Sequence, residues 1–218
     1  MPPLAARALG ALHRFNATHP WDHNAHHHRW ITRRLPRRPA SALDVGCGSG
    51  DLARLLARRA TTVHALDADP AVLALARGLT PPAAPVTYAL GDAVTDLPPG
   101  PHDVITCVAV LHHLPFAEAL TAFRERLAPG GTLLVVGLYR RHTRRDALTD
   151  AVAIPANAAM GWLRNRGRRA PLPVAMTAPT RPAGMTLEEI TREARRLLPG
   201  ARLRRRLFWR YTLEWRRP

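Results

Sequence analysis

The chain has 218 residues and a formal net charge of +16, from 32 cationic and 16 acidic side chains. This length suits one domain with a complete core and a small cap. We expect a cytoplasmic protein with no integral membrane segment, because no run approaches the roughly 20 apolar residues of a span and no secretory signal pattern opens the chain. With two cysteines, Cys47 and Cys107, neither a disulfide framework nor a cysteine-rich metal site is expected.

The positive charge is unevenly distributed along the chain. Every cationic side chain is an arginine, and lysine is absent. Residues 1–39 carry +6, residues 40–139 carry −3, and residues 140–218 carry +13. The flanking segments therefore favour an anionic small molecule, RNA or a membrane surface electrostatically, without selecting among them.

The N-terminal segment predicts two helices, over residues 4–15 and 26–35, joined by a polar and aromatic connector. Four histidines are clustered at positions 23, 26, 27 and 28, and His23 and His27 have the i, i+4 spacing of a helical metal pair. A third ligand is missing nearby, since no cysteine or glutamate is adjacent. We therefore expect no metal site.

From Ala42 onward, short apolar runs alternate with helical patterns, which is typical of a parallel sheet with helices on both faces. The predicted strands are 42–46, 62–67, 86–90, 103–109 and 132–138, and the predicted helices are 50–60, 70–77 and 116–127.

After Tyr139 the alternation stops, and an irregular insertion at about 140–185 predicts a lid or a substrate loop. Its stretch 147–163 is apolar and flanked by arginines, so it could lie on a membrane surface. Three residues interrupt the apolar pattern, Asp150, Pro155 and Asn157. We therefore favour a lid helix there.

The C-terminal part predicts a helix and two strands. Thr186 and Glu189 have the spacing of a capping box that begins a helix ending near Leu198. Residues 202–215 indicate two strands with a tight turn. This stretch also combines three arginines with aromatic residues, as RNA-binding surfaces do, but alternation along a strand would place the aromatic rings in the core.

The first predicted strand ends in an acidic residue and three glycines, spaced Gly-x-Gly-x-Gly over residues 46–50. Glycine is needed where φ is positive or where a ligand approaches the backbone, and the next helix begins with free N–H groups. The dinucleotide fingerprint is spaced differently, which disfavours a nicotinamide dehydrogenase. Asp44 before the turn would repel a pyrophosphate and suits a ligand that carries positive charge.

At this turn the chain resembles the class I S-adenosylmethionine-dependent methyltransferases, and the resemblance covers roughly residues 40–139. It implies ribose binding by Asp67 at the end of strand two, with Asp69 as the alternative, and adenine binding by Asp92. The complete set of cofactor residues that it implies is Asp44, Gly46, Cys47, Gly48, Gly50, Asp67, Ala68, Asp92, Ala93 and Val108.

The loop after the fourth strand faces the transferred methyl group in this family. Here it contains His112 and His113, and histidine has a pKa suited to a general base. The sequence does not distinguish the two residues. The alternative is that they belong to the family's common Leu-His-His-Leu packing motif. In relatives, N-terminal helices help to wall the acceptor pocket, and either pocket or ordinary packing roles fit Trp21, His26, Arg29, Trp30, Tyr139 and Trp162.

The sequence thus predicts an α/β, Rossmann-like, seven-stranded, mostly parallel sheet with helices on both faces and an N-terminal helical cap. The predicted domains are a cap over 1–39 and a catalytic domain over 40–218. The predicted function is methyl transfer from S-adenosylmethionine to an oxygen or nitrogen of a small organic molecule in specialised-metabolite biosynthesis. RNA methylation, methylation of a lipophilic quinone-like acceptor, and cofactor binding without catalysis are the alternatives.

Overall fold

A computed structural model of the chain describes residues 3–176 and 181–218. The strands are β1 Ser41–Val45, β2 Thr62–Asp67, β3 Val86–Leu90, β4 His102–Val108, β5 Leu127–Gly137, β6 Arg202–Arg206 and β7 Arg210–Arg216. The helices are α1 Pro3–Thr18, α2 His28–Thr32, α3 Asp51–Leu56, α4 Pro70–Leu79, α5 Phe116–Arg126, α6 Arg144–Arg164 and α7 Leu187–Leu197.

The seven strands form one sheet in the order β3-β2-β1-β4-β5-β7-β6. Within the described residues, β7 runs opposite to the other six strands and pairs antiparallel with β5 and β6. The strand order reverses beside β1, where β4 pairs with its other edge. The predicted fold class is confirmed, and the carboxyl ends of β1 and β4 meet at the point where open sheets of this kind bind ligands.

Helices cover both faces of the sheet. One buried apolar cluster packs α5 and α7 against the sheet through residues such as Phe123 and Ile190. The other packs α2, α3 and α4 against the opposite face through residues such as Ile31, Leu56 and Leu73. The apolar runs of the strands are buried because both faces are covered in this way.

Several elements differ in length from the sequence-based expectation. The second N-terminal helix is a 3₁₀ turn at Ala25–His27 followed by the short α2. Helix α3 ends early, because its last turn tightens into i, i+3 hydrogen bonds, such as that from the Arg59 N–H to the Leu56 carbonyl at 2.9 Å. Strand β5 begins at Leu127, where it pairs with His102 across an irregularity in the ladder.

The described chain forms two compact units. The larger comprises residues 24–141, 181–206 and 210–218 and holds the whole sheet. The smaller comprises residues 3–23, 142–176 and 207–209. This grouping differs from the predicted division at residue 39, because α2 buries Ile31 in the core of the sheet unit.

In the larger unit, the two ends of the insertion are held side by side. The Arg140 N–H donates to the Met185 carbonyl at 2.7 Å, and Arg140 forms a bridge with Thr186. The predicted capping box is confirmed, since Thr186 and Glu189 exchange hydrogen bonds at the start of α7. Arg140 and Met185 therefore lie side by side in the larger unit.

In the smaller unit, a buried amide links α6 to the connector that follows α1. The Asn157 Oδ1 accepts from the indole N–H of Trp21 at 3.0 Å and lies 2.7 Å from the Nε2 of His23. Gly161, one turn further along α6, lies against the His19 carbonyl, where a side chain would overlap. Asn157 thus faces inward. None of the described helices is long and apolar enough to cross a membrane.

Candidate active site

The glycine turn after β1 is hydrogen-bonded to the end of β2. The N–H groups of Gly46 and Cys47 donate to the Leu66 carbonyl at 2.8 and 3.0 Å. The Gly48 N–H donates to the Asp67 Oδ2 at 2.8 Å. Two neighbouring parallel strands therefore fix the turn at the carboxyl edge of the sheet.

The glycines of this turn meet different surroundings. Gly48 has a φ of +52°, and a Cβ built there would meet no atom within 4 Å. Gly50, with a φ of +77°, lies against the Tyr88 ring, whose hydroxyl would overlap a Cβ. Gly50 is thus required by packing, whereas Gly48 leaves open space in front of the backbone, as a site for close ligand approach must.

Asp44 is a buried carboxylic acid at the end of β1, and its side chain is incompletely hydrogen-bonded. Its Oδ1 accepts from the Thr106 hydroxyl at 2.7 Å, whereas its Oδ2 has no partner in the described structure. Burial raises the pKa of Asp44 to about 7, against the opposing effect of the Thr106 hydrogen bond. A cationic group placed at Oδ2 would satisfy this oxygen and favour the carboxylate.

The structure separates the roles of the neighbouring acids Asp67 and Asp69. Asp69 caps α4 by accepting from the N–H groups of Ala71 and Val72. Asp67 holds the Gly48 N–H on one oxygen and the Asp69 N–H on the other. Because each carboxylate oxygen has two lone pairs, Asp67 retains acceptor capacity towards a ligand.

Asp92, after β3, is exposed and holds its own turn together. Its Oδ1 accepts from the N–H groups of Val94 at 2.7 Å and Thr95 at 3.1 Å. These backbone hydrogen bonds lower the pKa of Asp92. A ligand that contacts this carboxylate would therefore compete with the hydrogen bonds that it makes within the turn.

The remaining apolar cofactor candidates lie beside these acids. Cys47 and Ala93 are buried, and Val108 is half-buried at the end of β4. Burial raises the pKa of the Cys47 thiol, so this group stays protonated. Ala68 follows Asp67 directly and is exposed.

His112 and His113 lie in a 3₁₀ turn just beyond β4, with ring centroids 4.0 Å apart. Burial, then the charges of His113 and Arg210, lower the pKa of His112 to about 4. Its Nδ1 is buried and has no hydrogen-bond partner in the described structure. His113 is less buried, and its pKa is lowered by burial and by Arg181. At neutral pH His112 is therefore an uncharged imidazole with an unused ring nitrogen.

Sequence reasoning assigned no role at this edge to Arg210, and it considered His27 only as half of a metal pair. Arg210 begins β7, pairs with Arg206 and donates to the Asn24 Oδ1 at 3.1 Å. Its charge lowers the pKa of both His112 and His27. Since β7 alone is antiparallel, its first residue lies at the edge where the parallel strands end. That topology is the one signal that could have placed Arg210.

His27 is buried, and desolvation lowers its pKa to about 3. The neighbouring charges of Arg210 and Arg206 act in the same direction. Its Nε2 has no partner in the part of the chain that the structure describes. The predicted candidate was His26, whose ring centroid lies 5.2 Å from that of His27.

The six predicted pocket residues are divided between the two compact units. Trp21 and Trp162 belong to the smaller unit, where Trp21 is buried against Asn157 and Trp162 is 52% exposed. The other four belong to the sheet unit. There His26 lies beside His27, and Arg29 is exposed. The guanidinium carbon of Arg34 lies 4.6 Å from the ring centroid of Trp30, and that of Arg205 lies 5.3 Å from the ring centroid of the buried Tyr139.

Two of the aromatic rings considered for RNA stacking are buried. Phe208 is 3% exposed and Tyr211 is 1% exposed. The third, Trp209, donates its indole N–H to the Asp150 Oδ1 at 2.8 Å. These rings serve packing, as strand alternation and the tight turn require, and offer no stacking platform.

Comparison with known proteins supports the same family as the motifs. A family model described as a methyltransferase domain matches residues 43–135. An uncharacterized methyltransferase of Mycobacterium tuberculosis is 35% identical over 205 residues, which cover 91% of this chain and 98% of the relative. A ubiquinone biosynthesis O-methyltransferase of Thiobacillus denitrificans is 32% identical over 171 residues, which cover 75% of this chain and 72% of the relative.

A solved structure shares the fold. The N-methyltransferase NodS from Bradyrhizobium japonicum, in complex with S-adenosyl-L-homocysteine, matches with a TM-score of 0.59 and 18% identity, covering 96% of this chain and 97% of NodS. The unpartnered Asp44 oxygen and the open space at Gly48 fit a ligand that carries positive charge. The chain belongs to the class I S-adenosylmethionine-dependent methyltransferases, and S-adenosylmethionine is its cofactor.

Proposed function

We propose that the protein methylates an oxygen or nitrogen atom of a small organic molecule that carries an anionic group, in the biosynthesis of a specialised metabolite. The observation that carries the proposal is the cluster at the carboxyl edge of the sheet. There Arg206 and Arg210 accompany the two neutral histidines His27 and His112. Such a cluster favours a ligand that carries a negative group.

We assign cofactor binding to the residues around the glycine turn. The carboxylate of Asp44 would receive the positive charge of the methionine part, because its Oδ2 is buried and unpartnered. Asp67 would bind the ribose hydroxyls with its remaining lone pairs. The turn at Gly46–Gly50 and the side chains of Ala68, Asp92, Ala93 and Val108 would complete the site.

S-adenosylmethionine supplies a methyl group on a sulfonium, from which the leaving group departs readily. The protein must therefore mainly align the acceptor and exclude water. His112 is suited to receive a hydrogen bond from the acceptor's O–H or N–H at its unpartnered Nδ1. Its pKa of about 4 keeps the ring neutral, and an anionic acceptor group bound nearby would raise that pKa and make the nitrogen a better base.

An anionic acceptor would also stabilise the positive charge of Arg206, the last residue of β6. Burial, then the neighbouring arginines Arg34 and Arg204, lower the pKa of Arg206, against the opposing charge of Glu214. Neighbouring cationic side chains repel one another, which lowers their pKa, and a bound anion offsets this repulsion. A carboxylate or phosphate on the acceptor would supply that charge.

The proposal is tested by transfer of labelled methyl from S-adenosylmethionine into an extract of the source cells, separated into small-molecule, lipid, RNA and protein fractions. Asp67→Ala, which removes the carboxylate that holds Gly48, is the blank. We expect label in an acidic small molecule. Label in RNA or protein would overturn the proposal, and label in a neutral small molecule would overturn its anionic part.

A lipophilic acceptor is the second candidate. It is supported by the similarity to the ubiquinone biosynthesis O-methyltransferase. The same fractionation distinguishes it, because its product would be extracted with the lipids.

A further inference from the structure

Helix α6 in the smaller unit carries a continuous apolar stripe on its solvent-exposed side. The residues lie at positions i, i+4, i+7, i+11 and i+14, which share one helical face. We define the apolar stripe as Leu148, Val152, Pro155, Ala159 and Trp162, all of them exposed. The exposed fractions are 71% for Leu148, 58% for Val152 and 52% for Trp162, and the adjacent Leu163 is 60% exposed. Exposed apolar surface of this extent marks an interaction site.

The polar residues that interrupt the apolar pattern in sequence lie on other faces of α6. Asn157 is buried and binds Trp21. Asp150 accepts the indole N–H of Trp209. Asp146 is 4% exposed and caps the helix together with Thr143. The objection to a membrane-facing helix that the sequence raised therefore does not apply to the folded helix.

Arginines lie at both ends of the stripe. Across residues 144–169, all described by the structure, the exposed charged side chains are Arg144, Arg145, Arg164, Arg166, Arg168 and Arg169. Both acids of this segment are held by hydrogen bonds within the unit. The exposed face therefore combines an apolar centre with positively charged ends.

This combination selects the partner. An anionic lipid surface offers hydrocarbon to the stripe and phosphate groups to the arginines. A second copy of the chain would bring the arginines of two helices together, which like-charge repulsion disfavours. A nucleic acid would use the arginines and leave the apolar stripe in water.

We propose that α6 docks the protein in the plane of an anionic membrane surface, with the apolar stripe inserted among the headgroups. Trp162 suits this depth, because tryptophan concentrates at membrane interfaces. Helix α6, with 21 residues, is about 30 Å long, so it would lie along the surface. This inference holds whatever acceptor the enzyme methylates.

The test is flotation of the full chain with vesicles. One set contains phosphatidylcholine and phosphatidylglycerol in equal parts, and the other contains phosphatidylcholine alone. We expect the protein to float with the anionic vesicles and much less with the neutral ones, and added salt to weaken the binding.

The variant Leu148→Asp/Val152→Asp should lower binding to anionic vesicles at least about tenfold, since each leucine or valine side chain loses its apolar contact. The matched control is Leu79→Asp, which changes an exposed leucine of α4 in the sheet unit. Both variants should unfold at the wild-type temperature and bind S-adenosylmethionine as the wild type does, which separates loss of docking from misfolding and from loss of the cofactor site.

Three results would overturn the inference. The wild type could fail to float with anionic vesicles while binding its cofactor normally. The α6 variant could float as well as the wild type. Light scattering could show a dimer that the α6 variant abolishes, which would assign the stripe to contact between two copies.

Discussion

The two edges of the sheet differ in whether the hydrogen bonds of their buried polar side chains are satisfied. At the amino edge, the His102 Nδ1 lies 2.7 Å from the Ser41 hydroxyl and its Nε2 lies 3.4 Å from the Pro98 carbonyl. The Asp103 Oδ2 accepts from the N–H groups of Ala40 and Ser41. These buried or half-buried groups are satisfied within the protein, as stable interiors require.

At the carboxyl edge, buried polar atoms are left without partners. Among the described residues these include the Asp44 Oδ2, the His112 Nδ1 and the His27 Nε2. Unsatisfied buried groups cost stability, and they persist where a ligand completes them. The comparison teaches that the amino edge of this sheet serves stability and that the carboxyl edge serves binding.

The largest expected effect is that of Asp44→Asn. Loss of the charge should weaken S-adenosylmethionine binding roughly 10- to 100-fold, since a hydrogen bond to a charged group contributes about 1.5–3 kcal/mol. Calorimetric titration at pH 8 measures it. An unchanged affinity would mean that Asp44 does not contact the cofactor.

The wild-type protein should show a pH dependence that the same variant removes. The pKa of Asp44 is raised from 3.8 to about 7 in the folded protein. Its contribution to the free energy of unfolding is therefore fully present below about pH 4, where the acid is protonated, and is lost as the pH rises to about 7. Wild-type cofactor affinity should rise over the same interval, as the carboxylate forms. Asp44→Asn should abolish both changes and should be more stable than the wild type at pH 8.

Arg210→Gln should raise the KM for an anionic acceptor roughly tenfold or more and change kcat less, because a charged hydrogen bond is lost in both ground and transition states. The matched control is Arg202→Gln, an exposed arginine at the far end of β6. Steady-state kinetics on the acceptor found by labelled transfer measures both. If the two variants changed KM equally, Arg210 would not contact the acceptor.

Gly48→Ala distinguishes ligand approach from backbone strain. Gly48 and Gly200 both have positive φ, and a Cβ at either meets no atom within 4 Å. Alanine should therefore cost similar stability at both positions, about 1 kcal/mol. We expect cofactor affinity to fall several-fold for Gly48→Ala only, as measured by titration alongside thermal unfolding. A similar loss in Gly200→Ala would show that strain alone is responsible.

The smallest functional effect is expected at the amino edge. Ser41→Ala leaves the His102 Nδ1 without its partner and should lower the free energy of unfolding by about 1–3 kcal/mol. Denaturant unfolding measures this loss, and titration should show unchanged cofactor affinity. A weakened affinity would contradict the separation of the two edges.

Much of the sheet unit could be predicted from short segments of sequence. The β2 and β3 boundaries, the cap at Thr186 and the tight turn before β7 all follow from local patterns of apolar, capping and turn residues. The buried and exposed faces of α6 could not be predicted from such local patterns. Asn157 interrupts the apolar pattern in sequence, yet it is buried because Trp21 and His23 provide hydrogen-bonding partners.

The sequence by itself determined the family, the cofactor turn and the acids around it, because the strand, the turn and the helix that follows are contiguous in the chain. Only the tertiary structure decided which polar atoms lack partners and which side chains reach the same edge. Arg210 lies far from His27 and His112 in sequence, and it influences both only because β7 runs antiparallel to the other strands. Burial and electrostatic coupling depend on atoms brought together by folding, which no local pattern encodes.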